Sequence, residues 1–153
     1  MTAKEYLRFY RWLDIRISNI NAAIEREDAR LQNISPVLKE NPVTTSGGHH
    51  ASFESSIDKL LDLRMRYKHY VDAYTAINER TVNMIAKMED DRYREVLSAY
   101  YISCKAWERI AVDMNYNYRY VQELHGKALQ QFENMYSDYL EPLTKDLMVS
   151  AET

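Results

Sequence analysis

The segment from Trp107 to Leu124 has the residue pattern of two short helices joined by a tight turn. In such a motif the second helix can enter the major groove of DNA, where its side chains hydrogen-bond to base edges. Asn115 occupies the turn position, and asparagine tolerates left-handed backbone. In the first helix, Ile110 is the apolar residue, Ala111 the small one and Met114 the last residue. Tyr116 packs after the Asn115 turn and Asn117 caps the second helix. Val121 and Leu124 are the apolar anchors of that helix. The alternative stays open, since any two short helices with a tight turn give a similar string.

Residues that could support catalysis or metal binding are scattered through the chain. The sequence has no glycine-rich phosphate loop, His-Glu-x-x-His helix or cysteine cluster. His49 and His50 are adjacent, but a metal site needs further ligands, and nothing nearby supplies them. Cys104 is interpreted as a small core residue, and His69 and His125 as structural histidines. We therefore expect a protein that is not an enzyme and has no metal site or cofactor.

The first element predicted from the sequence is a long helix. Thr2 and Glu5 have the spacing of a capping box, which predicts that the helix begins there. Alternating steps of three and four residues predict a heptad seam that packs against another helix. The seam comprises Tyr6, Tyr10, Leu13, Ile17, Ile20, Ile24, Glu27, Leu31 and Ile34. Ser35 and Pro36 predict a break or a kink.

A Pro-, Ser- and Gly-containing stretch predicts a loop over residues 41–52, followed by a second long helix. The two helices predict an antiparallel hairpin over residues 1–88. The second seam comprises Phe53, Ile57, Leu60, Arg64, Tyr67, Val71, Tyr74, Asn78, Thr81, Ile85 and Met88, widened by Leu61, Leu63, Tyr70, Ile77 and Met84. Arg64 and Asn78 either fix the register of the seam or lie at a solvated edge. Two helices are expected to leave part of the stripe of Ile17, Ile20, Ile24 and Leu60 uncovered, so we expect a homodimer through the hairpin.

A helix-turn-helix domain is predicted over residues 89–136, followed by a C-terminal tail over 137–153. Its helices are expected from Arg92 to Ile102, from a Ser103 cap to about Val112, and from Tyr118 to Met135. Trp107 is expected to pack on Val121 and on the helix that begins at Arg92. The predicted fold class is all-α, with a long helical hairpin preceding the motif.

The charge balance does not favour DNA binding. The 153 residues have a net charge of −3, and residues 90–136 hold six basic and seven acidic side chains. DNA-binding domains are usually basic, because neutralising phosphates supplies most non-specific affinity. The single cysteine and the absence of a long apolar stretch predict a cytoplasmic protein without a membrane span.

Several strings resemble region 4 of bacterial sigma factors and, more closely, the RinA/ArpU family of phage late-gene transcriptional regulators. They are YREVLSAYYI (93–102), WERIA (107–111), YNYRYV (116–121) and HGKAL (125–129). The opening YLRFYRWLDIRI (6–17) is similar to the phage family as well. The resemblance implies a sequence-specific DNA-binding protein that activates transcription of phage or prophage late genes in a bacterial host. The implied partners are double-stranded DNA and host RNA polymerase.

The resemblance also implies a recognition helix from about Asn117 to Leu129. The residues implied to meet the major groove are Asn117, Tyr118, Arg119, Gln122 and Glu123, and those implied to reach phosphates are Lys127 and Lys105. Arg119 suits guanine and Gln122 suits adenine, while Glu123 would accept from cytosine or orient Arg119.

Two explanations of the acidic balance remain open. The protein gains affinity from a dimer or from RNA polymerase, or the fold is kept and the DNA face is lost. The alternative functions are a DNA-packaging protein like the small terminase subunit, and a helical protein-interaction module without DNA contact.

Overall fold

The structure, a computed structural model, is all-α. It describes the backbone of residues 1–40 and 48–152 and the side chains of residues 1–33 and 51–140. The helices are α1 (Ala3–Glu40), α2 (Gly48–Ala86), α3 (Asp91–Leu97), α4 (Trp107–Met114) and α5 (Tyr118–Glu152), and a π-helical turn (Ser98–Ile102) follows α3. None of the described helices is both long enough and apolar enough to cross a membrane.

Helix α1 begins with the predicted capping box. The Glu5 N–H donates to Thr2 Oγ1 at 3.2 Å, and the Thr2 N–H donates to Glu5 Oε2 at 2.8 Å. Helix α1 continues to Glu40, so it does not end at Ser35 and Pro36; of the two expected outcomes, a break or a kink, the break is wrong. A proline within a helix removes its own N–H from the hydrogen-bond ladder, and its ring clashes with the carbonyl four residues earlier, which disfavours the helix without forbidding it. The good helix formers Leu38, Lys39 and Glu40 follow and favour its continuation.

Helix α2 begins at Gly48, so residues 48–52 of the predicted loop are helical. Residues 41–47 lie outside the described part of the chain, as do the side chains of His49 and His50. Glycine is tolerated at a helix N-terminus, so Gly48 does not stop the helix from forming there. Leu61 was predicted to widen the buried stripe, but 55% of it is exposed.

The chain divides into two compact units. Unit 1 comprises residues 1–15 and 72–153, and unit 2 comprises residues 16–71. The predicted boundary at residue 88 therefore does not follow the packing. The first turns of α1 and the last turns of α2 share a core with the helix-turn-helix segment. That core comprises Ala3, Tyr6, Leu7, Met84, Ile85, Met88, Val96, Leu97, Tyr101, Ile110, Ala111, Val121, Leu124, Ala128, Phe132 and Leu140.

Within unit 1, α1 and α2 are antiparallel and are joined by side-chain hydrogen bonds. Tyr6 Oη lies 2.7 Å from Thr81 Oγ1, and the Tyr10 hydroxyl donates to Asn78 Oδ1 at 2.6 Å. Asn78 is half-buried, so it has a defined partner in the seam. This geometry favours its register-fixing interpretation over that of a solvated edge.

Unit 2 is a pair of antiparallel helical segments with a buried carboxylate. Lys59 Nζ lies 2.9 Å from Glu27 Oε1, and Glu27 is only 4% exposed. The lysine hydrogen bond is the main cause that lowers the pKa of Glu27. Arg64 is exposed and pairs with Asp28 at 3.3 Å, so it lies at the edge of the seam.

The connection between α3 and α4 differs from its prediction. Residues 98–102 form a π-helical turn, in which the Ser103 N–H donates to Ser98 O at 2.9 Å. Ser103 therefore ends this turn and does not cap the next helix. Cys104 follows with a φ of 52°, and α4 begins only at Trp107. The left-handed backbone at Cys104 thus lies between the π-helical turn and the new helix.

The last helix is longer than predicted. Helix α5 passes Met135 and continues to Glu152, so the segment expected to be a tail is helical. Leu140 is fully buried in the core of unit 1. Burial of this side chain stabilises the helix as far as residue 140.

Candidate nucleic-acid interface

The turn between α4 and α5 has the backbone geometry that the sequence predicts. Asn115 has φ 57° and ψ 40°, which is left-handed, and it ends α4 after Met114. The Tyr116 N–H donates to Ala111 O at 3.0 Å, and the Asn115 N–H donates to Val112 O at 3.1 Å. The end of α4 is therefore closed by backbone hydrogen bonds of the kind found in left-handed helix caps.

Helix α5 begins with a side-chain cap. Asn117 Oδ1 accepts from the Tyr120 N–H at 2.8 Å, which confirms Asn117 as the cap. The amide oxygen of Asn117 is thus used within the protein. Its amide nitrogen takes no part in this hydrogen bond.

The predicted anchors of the motif are buried. Ile110 and Val121 are fully buried, while Ala111 and Leu124 are exposed by 8% and 2%. These side chains hold α4 and α5 together within the core of unit 1. The opposite side of the first turns of α5 therefore faces outward.

Most of the predicted base-contacting residues lie on this outward surface. The side chain of Arg119 is 91% exposed and that of Glu123 is 56% exposed. Tyr118 is 49% exposed, and Gln122 is half-buried. The structure thus brings the predicted residues of α5 together within two turns, and Lys127 follows one turn later and is also exposed.

Acidic side chains accompany the basic ones on this surface. Arg119 Nε lies 3.6 Å from Glu123 Oε1, one helical turn away. Lys105, predicted to reach phosphate, lies 2.8 Å from Asp113 through its Nζ. Arg109, which the sequence reasoning did not select, approaches the same carboxylate through its Nε at 3.0 Å. The hydrogen bond from Lys105 is the main reason that the pKa of Asp113 lies below its ordinary value.

A second group that the sequence did not indicate joins α3 to α5. Arg92 Nη1 donates to Tyr120 Oη at 3.1 Å, while Asp90 Oδ2 accepts from Arg92 Nη2 at 3.1 Å. Tyr120 in turn contacts the Tyr116 ring edge-on, with centroids 4.7 Å apart. Arg92 is 28 residues from Tyr120, so helical spacing alone offered no signal for this contact.

Behind the motif lies a buried aromatic cluster. His125 Nε2 is 2.9 Å from Tyr101 Oη, and the Trp107 ring contacts His125 edge-on at 4.6 Å. Burial is the main cause that lowers the pKa of His125 to about 4. A neutral imidazole held among aromatic rings matches the structural role predicted for this histidine.

Cys104 adjoins this cluster in the chain but has no activated thiol. Its Sγ donates to Asp14 Oδ2 at 3.3 Å, and burial together with that carboxylate raises the pKa of the thiol to about 11. A thiol in this state is a poor nucleophile at neutral pH. Within the described residues, no group of three or more His, Cys, Asp and Glu side chains is arranged to hold a metal ion.

No protein-family model, curated protein or solved structure matches this chain. The properties of the surface around α4 and α5 therefore follow from its own side chains. It combines one prominent guanidinium, exposed tyrosines and amides, and cations that are neutralised by neighbouring carboxylates. Such a surface can form hydrogen bonds to base edges, but its net electrostatic attraction to phosphates is small.

Proposed function

We propose that this protein binds double-stranded DNA through α4, the Asn115 turn and α5. The supporting observation is the combination of left-handed Asn115, the Asn117 cap and an almost fully exposed Arg119 in the first turn of α5. In helix-turn-helix proteins, the N-terminal residues of the second helix contact base edges. Arg119 occupies that position.

The side chains on α5 suit direct readout of the major groove. Arg119 can donate two hydrogen bonds to guanine, and Gln122 can pair with the adenine edge. Glu123 lies 3.6 Å from Arg119, which favours its role in orienting the guanidinium. Lys127 is exposed one turn further along and is proposed to contact phosphate.

The cellular role is proposed from the family resemblance. A RinA/ArpU-like protein would regulate late genes of a phage or prophage, together with host RNA polymerase. Each chain carries slightly more acidic than basic groups, which lowers its affinity for DNA. A dimer or a contact with the polymerase would compensate for this.

Selection from a random pool of DNA duplexes tests the DNA-binding proposal. We expect rounds of selection by the full chain to enrich one motif containing a guanine that Arg119 contacts. Arg119→Ala should fail to enrich that motif, whereas Asn134→Ala, an exposed substitution further along α5, should enrich it. Enrichment by neither wild type nor control would contradict the proposal.

A protein-interaction module is the second candidate function. It is favoured by the pairing of Lys105, Arg109 and Arg119 with carboxylates, and by the exposed tyrosines at the start of α5. Tyrosine is enriched at protein interfaces, whereas a DNA-binding face normally carries excess positive charge. This candidate predicts that Tyr118→Ala changes binding to the protein partner. It also predicts that the wild-type protein binds no DNA duplex at low salt.

A further inference from the structure

One carboxylate lies between two cations on the α4 side of the motif. Asp113 Oδ2 is 2.8 Å from Lys105 Nζ, and Asp113 Oδ1 is 3.0 Å from Arg109 Nε. Each oxygen therefore serves a different cation. Asp113 lies one helical turn after Arg109, while Lys105 precedes α4, so the carboxylate gathers cations from two segments of the chain.

The Asp113 carboxylate contacts the two cations as a bound oxyanion would. A DNA phosphate also offers two oxygens, and lysine and arginine side chains are its usual partners. In a helix-turn-helix, the first helix crosses the DNA backbone, where Lys105 and Arg109 would meet phosphates. Here the two cations already share an anion from their own chain.

We propose that Asp113 is an internal counterion that takes the place of a DNA phosphate on Lys105 and Arg109, and so limits the affinity of this interface for DNA. The inference rests on the proposed DNA-binding function. It explains how a helix-turn-helix can have cations at the expected positions and still attract DNA weakly.

The exposure of the three side chains makes the ion pairs exchangeable. The side chain of Arg109 is 70% exposed, that of Lys105 is 42% exposed and that of Asp113 is 26% exposed. Ion pairs in contact with water contribute little to folding, so a phosphate can displace the carboxylate at small cost. The displaced carboxylate then lies near the phosphate and repels it. This repulsion cancels much of the affinity that the two cations gain by contacting the phosphate.

Asp113→Asn removes this negative charge and keeps an oxygen that can accept from either cation. Fluorescence anisotropy with a labelled duplex, titrated between about 50 and 200 mM salt, measures the consequence. We expect affinity to rise about three- to tenfold at the lower salt. The slope of log K against log salt should become steeper by about 1, since one more phosphate is neutralised.

Asp138→Asn is the matched control, because it makes the same charge change at an exposed position of α5 in the same unit. Adding Lys105→Ala to Asp113→Asn should reduce the gain, because one of the two released cations is then absent and only Arg109 remains. Circular dichroism spectra and melting curves of each variant establish that the fold is retained.

The outcomes separate the inference from the proposed function. A gain in Asp113→Asn that exceeds the gain in Asp138→Asn and depends on Lys105 supports the inference. DNA binding by wild type with equal behaviour of the two Asp→Asn variants overturns the inference and leaves the function standing. No DNA binding by any variant at low salt overturns both.

Discussion

The Trp107 ring lies flat on the Tyr100 ring, with centroids 3.9 Å apart and planes inclined by 15°. The Arg11 guanidinium lies 4.4 Å from the centroid of Tyr100, and Arg11 Nε donates to Tyr100 O at 3.0 Å. This stack joins α1, the π-helical turn and the start of α4. The helix-turn-helix segment is thus held in place by the N-terminal helix.

Trp107→Ala should destabilise the protein by removing this stack. The ring is half-buried, so we expect a loss of about 2–3 kcal/mol in the free energy of unfolding, less than for a fully buried ring. Urea denaturation measures the loss. Trp12→Ala is the control, since that indole is 41% exposed, and it should cost less. Equal losses for the two tryptophans would contradict the structural role assigned to Trp107.

Asn117→Ala should remove the cap of α5. Substituting a capping asparagine by alanine costs about 1 kcal/mol, whereas serine keeps an accepting oxygen. Asn117→Ser should therefore retain nearly full stability in thermal denaturation. A cap role is contradicted if alanine and serine give the same stability. A selective loss of DNA affinity in the serine variant would assign the amide nitrogen of Asn117 to base contact.

His125 should make stability depend on pH. Its pKa is lowered to about 4 in the folded protein, first by burial and then by the charges of Lys4 and Arg8, against an ordinary value near 6.5. The unfolded chain therefore binds more protons between these pH values. The stabilisation is complete above pH 6.5 and is lost as the pH falls towards 4, by up to about 3 kcal/mol.

Denaturation of His125→Gln across this pH range measures that contribution. The variant should show a flatter dependence of the free energy of unfolding on pH than wild type. His69→Gln removes an exposed imidazole and should keep the wild-type slope. The same slope for wild type and His125→Gln would show that another group causes the dependence.

Self-association is expected through unit 2. Its two helical segments bury Ile20 and Leu60 but leave Leu61 55% exposed and Met65 74% exposed. These two residues are one turn apart on α2, so together they present apolar surface to solvent. Sedimentation velocity should detect a dimer that the double change of Leu61→Ser and Met65→Ser weakens. Met135→Ser, in unit 1, should leave it unchanged. A monomer throughout the micromolar range would contradict this prediction.

The local elements were predictable because their signals lie close together in the sequence. The Thr2–Glu5 capping box, the left-handed turn at Asn115 and the Asn117 cap each depend on residues within a few positions. The seam of α1 was predictable for the same reason, since heptad steps repeat along a single helix.

The parts that sequence reasoning missed depend on contacts between distant segments. The π-helical turn places Tyr100 between Arg11 and Trp107, and no local pattern encodes that stack. Leu140 is buried in a core to which the four other helices and the π-helical turn also contribute, so its burial could not be inferred from the sequence of α5 alone. Composition gives the total charge of the chain, but it does not determine which carboxylate pairs with which cation.

The affinity of the full chain for a selected duplex and for a scrambled duplex, at two salt concentrations, tests the central claim most directly. We expect wild type to prefer the selected duplex. Arg119→Ala should lose about 1–3 kcal/mol of that discrimination, because in the proposed complex the guanidinium contacts a base. Lys127→Ala should weaken binding to both duplexes alike and reduce the salt slope by about 1, because in the proposed complex Lys127 contacts a phosphate. The absence of salt-dependent binding of wild type to either duplex, even with RNA polymerase present, would contradict the claim that this helix-turn-helix binds DNA.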